Sequence, residues 1–63
     1  MKIDPKKVFL LMAKLGLTRG KLCGLAGIST ATFTNAMQRG SCRIATAGKI
    51  ASALGIDPAE IIA

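Results

Sequence analysis

The chain has 63 residues, nine lysines and arginines against three carboxylates, no histidine and a net charge of +6. With only Asp4, Asp57 and Glu60 as acids, the positioned titratable groups of general acid–base catalysis are nearly absent, which argues against an enzyme. A chain this short forms one domain, residues 1–63, burying only about 60% of its unfolded surface, and its charge suits a polyanionic partner or, more plainly, a solvated basic surface.

Asp4 is placed to cap a helix whose first residue is Pro5, because aspartate accepts free N–H groups and proline fits the first turn. Val8, Leu11, Met12 and Leu15 fall at i, i+3, i+4 and i+7, one apolar stripe, and Gly16 ends the helix. Lys6, Lys7 and Lys14 lie opposite, with Leu10 among them. Thr18 caps a second helix, Arg19 to Ala26, with Leu22, Leu25 and Ala26 as its buried side and Gly27 as its stop. Gly20 and Gly24 sit inside this helix at about 1 kcal/mol each relative to alanine; close packing or drift is the expected reason for the pair.

Ser29 caps a third helix, Thr30 to Gln38. A 100° step per residue puts Phe33, Ala36 and Met37 inward and Ala31, Asn35, Gln38 and Arg39 outward, flanked by Thr30, Thr32 and Thr34. Threonine is a poor helix former, so three of them favour a surface role over bare stability. Gly40 closes this helix into a loop, Arg39-Gly40-Ser41-Cys42. A fourth helix runs from about Arg43 to Leu54, with Ile44, Ala47, Ile50, Ala51 and Leu54 on its apolar side and Gly55 at its end. Asp57-Pro58-Ala59-Glu60 has the form of a capping box opening a short last helix anchored by Ile61 and Ile62. No segment alternates with period two. The expected fold is all-α, five short helices.

Cys23 and Cys42 could in principle form a bridge, but no signal peptide is visible, and the apolar run near the N-terminus is broken by Lys14. Free thiols in a reducing cytoplasm are expected. The two cysteines are far apart and have no histidine to join them, so no metal is expected. Neither a cofactor nor a small-molecule ligand is indicated. No stretch approaches the roughly 18–20 apolar residues of a membrane span. A basic membrane-surface peptide is the alternative that a mean hydropathy of +0.48 and cationic charge keep open. The spread of its cations over several helices, and its lack of Trp and Tyr, weigh against it. A protein-binding adaptor is a third option, which acids on the outer face would have favoured.

The second and third helices meet the requirements of a helix-turn-helix. Cys23 is the small residue at the close approach, Gly27 makes the turn, and Leu22, Ala26, Ile28, Phe33 and Ala36 form the inner set. This motif, residues 18–39, closely resembles the Cro and phage-repressor (XRE) class of DNA-binding proteins. Thr46 to Ile56, T-x-x-K-I-A-x-A-L-G-I, resembles the fourth helix of that class, and DPAEII its last. The chain departs from the class pattern at Arg19, where glutamine is usual, and at Ala36, where isoleucine or leucine is usual, with Met37 available to fill the space. It departs again at Gly48 and by one extra residue before Gly40.

The resemblance implies a lambda-repressor-like domain with Thr30, Ala31 and Asn35 at base edges of the major groove, where asparagine bonds adenine and methyl groups meet thymine. Arg19, Ser29, Thr32 and Gln38 would hold phosphates, and Arg39 and Arg43 would add charge against the backbone, setting register without reading sequence. It further implies a repressor of bacterial or phage origin, acting as a homodimer on double-stranded DNA in the cytoplasm. Pairing would be through the fold itself, around Ile56, Ala59 and Ile61.

Overall fold

The computed structural model describes all of residues 1–63. Four helices form, α1 (Pro5–Leu15), α2 (Arg19–Ala26), α3 (Thr30–Arg39) and α4 (Ile44–Leu54), followed by a 3₁₀ turn, Pro58–Ile61. Their limits follow from local chemistry. The Asp4 carboxylate accepts from the Lys6 N–H at 3.0 Å, Thr18 from Lys21 at 3.2 Å, and Ser29 from Thr32 at 3.1 Å. Each of these bonds satisfies a donor that the helix itself leaves free. Asp57 accepts from Ala59 at 2.8 Å while Glu60 reaches back to the Asp57 N–H at 3.2 Å. This reciprocal pair is the expected capping box, and the short last helix it opens is a single 3₁₀ turn. Arg43 precedes α4 as its N-cap, with no side-chain cap, so the helix starts one residue later than expected.

The core lies where α4 meets α2, α1 and the 3₁₀ turn. Its members include Ile3, Val8, Met12, Leu22, Phe33, Ile50, Leu54 and Ile61, with Cys23, Ala36, Ala47 and Ala51 at the close approaches. Phe33 is its largest fully buried side chain, and burial of a side chain that size contributes about 1.5–3 kcal/mol. Ala36 and Met37 are both buried. The thioether therefore occupies space beside the small residue, as methionine does in irregular cores. Cys23 is buried and Cys42 half-buried, both as free thiols.

Four apolar residues expected to pack inward are exposed: Leu15 at 51%, Leu25 at 66%, Ile44 at 74% and Ile62 at 38%. Leu25 points well away from the line through Leu22, Cys23 and Ala26 that meets α4. Leu15 and Ile44 stand at the last turn of α1 and the first of α4, beyond the neighbours that cover the helix middles. Conversely, Ile3 is buried although it precedes every helix. It sits in a strap, Met1–Ile3, that makes isolated antiparallel bridges, Lys2 with Ser41 and Ile3 with Ile62. The Ile3 N–H donates to Gly40 O at 2.9 Å, the Cys42 N–H to Met1 O at 2.9 Å, and the Ala63 N–H to Lys2 O at 3.3 Å. The strap thus ties the loop after α3 to the end of the chain.

Close packing does not explain Gly20 and Gly24. A methyl group built on either meets no heavy atom within 4 Å, and the same is true of Gly48. No helix is long and apolar enough to cross a membrane.

Candidate functional site

The turn between α2 and α3 depends on Gly27. Its φ of +71° is left-handed, and its N–H and that of Ile28 both return to Cys23 O, at 2.9 and 3.1 Å. A side chain there would meet the steric cost of about 1–2 kcal/mol that L-residues carry in this region. Leu22, Cys23, Ala26, Phe33 and Ala36 are buried between the helices and Ile28 is half-buried, which fills the inner set named from the sequence. The opposite side of α3 is left to solvent. Thr30, Ala31, Thr32, Asn35, Gln38 and Arg39 are all exposed, and Thr34 is half-buried.

The exposed side of α3 is a ridge between two troughs. On one side, Thr32, Asn35 and Arg39 look across a polar groove of about 580 Å³ toward Ser41, Arg43, Thr46 and Lys49 at the start of α4. Three cations and no acid line it. The first-turn N–H groups of α4, which carry the positive end of the helix dipole, lack a side-chain cap there. On the other side, Thr34 and Gln38 border a smaller cleft of about 240 Å³ floored by Phe9, Phe33 and Met37, with Arg19 as its one charge. Phe9 meets Phe33 edge to face, ring centres 6.4 Å apart at 84°.

Each expected site residue has a definite place. Arg19 reaches across from α2 and donates from Nη1 to Thr34 Oγ1 at 3.4 Å, which links the first turn of α2 to the middle of α3. Ser29 accepts from the Thr32 N–H and donates its own hydroxyl proton to Thr32 Oγ1 at 2.9 Å. With one bond between two hydroxyls, one hydroxyl proton of the pair remains free for an outside acceptor. Thr30, Ala31 and Asn35 lie on the exposed side of α3, with Asn35 at the lip of the polar groove. Arg39 and Arg43 share that groove.

Lys49 and Thr46 share it too, and were not singled out from the sequence. Arg43, Thr46 and Lys49 stand at i, i+3 and i+6, one side of α4, which was the available signal. Thr34 is the acceptor for Arg19, a role invisible before the two helices were placed. Cys42 also lines the groove. Burial pushes its thiol above the ordinary value, against a smaller opposite pull from the Met1 ammonium, which donates to Cys42 O at 3.0 Å. The acids lie elsewhere: the Asp4 N–H is bonded to Ile61 O at 2.7 Å, which joins Asp4 to the turn that carries Asp57 and Glu60. Ile61 is fully buried in the core, so it cannot take part in the pairing surface expected of it; Ile56 is half-buried and Ala59 exposed.

A family model described as Cro/C1-type HTH DNA-binding domain matches residues 10–63. No curated protein and no solved structure matches the chain.

Proposed function

The chain belongs to the Cro/C1-type helix-turn-helix DNA-binding family, and from that premise we propose that it is a sequence-specific transcriptional repressor acting as a homodimer on a near-palindromic operator, in the cytoplasm of a bacterium. The observation that carries this reading is the ridge of uncharged α3 side chains set between cation-bearing flanks. A major groove admits one helix and has a phosphate backbone on each side. With α3 in the groove, Thr30, Ala31 and Asn35 face base edges. Arg39 and Arg43, joined by Lys49 and the uncapped start of α4, meet one backbone, where free N–H groups and cations both favour phosphate. Arg19, with Thr32, Ser29 and Gln38, completes the contacts that set register.

One copy of α3 covers one half-site. Half-sites one helical turn apart lie about 34 Å from centre to centre. The longest Cα extent of the domain is 24 Å, and side chains add about 3 Å at each end. At about 30 Å against a spacing of about 34 Å, two copies on adjacent half-sites touch only where their facing edges reach past the centre of α3, so pairing is weak away from DNA. Ala59 and Ile56 remain available for that edge, without Ile61.

The test is selection of binding sites from a random duplex library by the full chain. An inverted repeat with half-site centres about 10–10.5 base pairs apart is the expected result. A pool of unrelated sequences, bound with equal affinity, would contradict sequence-specific regulation.

A further inference from the structure

We infer that the half-site read by α3 is built from A·T pairs, through thymine methyl groups and one adenine, with no guanine read by this helix. The inference rests on the DNA-reading role proposed above and concerns what that surface can recognise. The commonest specific contact to a base is arginine or lysine bidentate to guanine O6 and N7. The reading ridge has no means to make it. Of the nine cations, Lys2, Lys6, Lys7, Lys14, Arg19 and Lys21 precede α3, and Arg43 and Lys49 follow it. Arg39, the last residue of α3, is turned into the groove beside Arg43 and Lys49, the place of a phosphate contact. Arg19 is held on Thr34 at the opposite flank.

What the first two turns of α3 do offer is methyl groups and an amide. The Ala31 and Thr30 methyls are exposed, and Asn35 stands one turn beyond Ala31 on the same side. Asparagine matches adenine, whose N6 donates and N7 accepts, and a methyl matches only thymine among the four bases. Ala31 and Asn35 are four residues apart, a rise of about 6 Å along the helix. Base pairs are stacked about 3.4 Å apart, so the two side chains address pairs within about two steps of each other. Glu and Asp, which accept from cytosine N4, are absent from α3 as well. A threonine hydroxyl meets either kind of pair, so the groups on this surface that discriminate, the Asn35 amide and the Ala31 and Thr30 methyls, are the partners of adenine and thymine.

The experiment uses the full chain and the half-site obtained by selection, with single bases replaced by analogues that keep Watson–Crick pairing. Deoxyuridine in place of a contacted thymidine deletes one methyl, and should weaken binding about four-fold, the value of one buried carbon. Deoxyguanosine-free pairs opposite α3 and a loss with 7-deazaadenine at the Asn35 position are also expected. A selected site with required G·C pairs under α3, or uracil-substituted duplexes bound as tightly as the thymine forms, overturns the A·T inference while leaving specific DNA binding intact. Absence of any sequence-dependent binding is a different result, and overturns the regulator reading together with this one.

Discussion

On its α4 side, α3 borders a wide polar groove with Arg39, Arg43 and Lys49 around it; on its α1 side it borders a small apolar-floored cleft with Arg19 alone. The first flank has its cations exposed on two elements joined by a short loop. The second is a packing seam, where the Phe9 edge rests on Phe33 and Arg19 is tied to Thr34. On the proposed reading, the α4 flank supplies most of the electrostatic affinity and the α1 flank fixes how α3 is presented. The loop between α3 and α4 is in turn held by the Met1–Ile3 strap. The same protein surface thus divides attraction from orientation, and leaves the ridge between them free of charge to read bases.

The largest expected effect breaks the comparison directly. Replacing Arg39, Arg43 and Lys49 together by alanine should lower the slope of log affinity against log salt by about three units, and Arg19→Ala by about one, since each neutralised phosphate contributes about 0.9. Fluorescence anisotropy on one duplex over a range of salt measures both. Equal slopes for the triple and the single variant would show that the flanks do not differ. Next in size is the ridge itself. Asn35→Ala should weaken binding to the selected operator by about 1–3 kcal/mol and leave binding to unrelated duplex nearly unchanged. An equal loss on both duplexes would move Asn35 from base reading to backbone contact.

The smallest effect lies outside both flanks. Gly20→Ala and Gly24→Ala should each stabilise the fold by about 0.5–1 kcal/mol, because the added methyl meets nothing within 4 Å and both positions are helical. In a domain of this size, 1 kcal/mol corresponds to roughly 4–8 °C in melting temperature. A lower melting temperature for either variant would show that the helix needs glycine for a reason other than packing.

Much of the molecule was legible because its instructions are local. Thr18, Ser29 and Asp57 cap the elements they precede, and Gly27 and Gly40 stop α2 and α3 by their own backbone freedom, within a few residues of what they control. The inner helix-turn-helix set was readable for the same reason, since two adjoining helices must bury the sides they share. Periodicity says which side of a helix is apolar, but not how far a neighbour extends along it. That is why Leu15 and Ile44 were expected inside and stand in solvent, while Leu25 does so because it points away from the side of α2 that meets α4. Ile3 was missed because a three-residue strap is too short to show alternation, and its partners lie about 40 and 60 residues away in sequence. Within the site, α3 announced itself by its uncharged outer side. Lys49 did not, because its place beside Arg39 depends on how α4 docks.

The most direct test of the central claim is to map the surface that DNA covers. Backbone amide shifts of the isotope-labelled chain would be followed while the selected duplex is added. Changes confined to Ser29–Arg39, to residues 41–49, to the start of α2 around Arg19 and, where two copies meet, to the edge around Ile56 and Ala59 are predicted, with the Lys6, Lys7 and Leu10 side of α1 undisturbed. Changes centred on α1 or on the 3₁₀ turn, with α3 unaffected, would contradict the account.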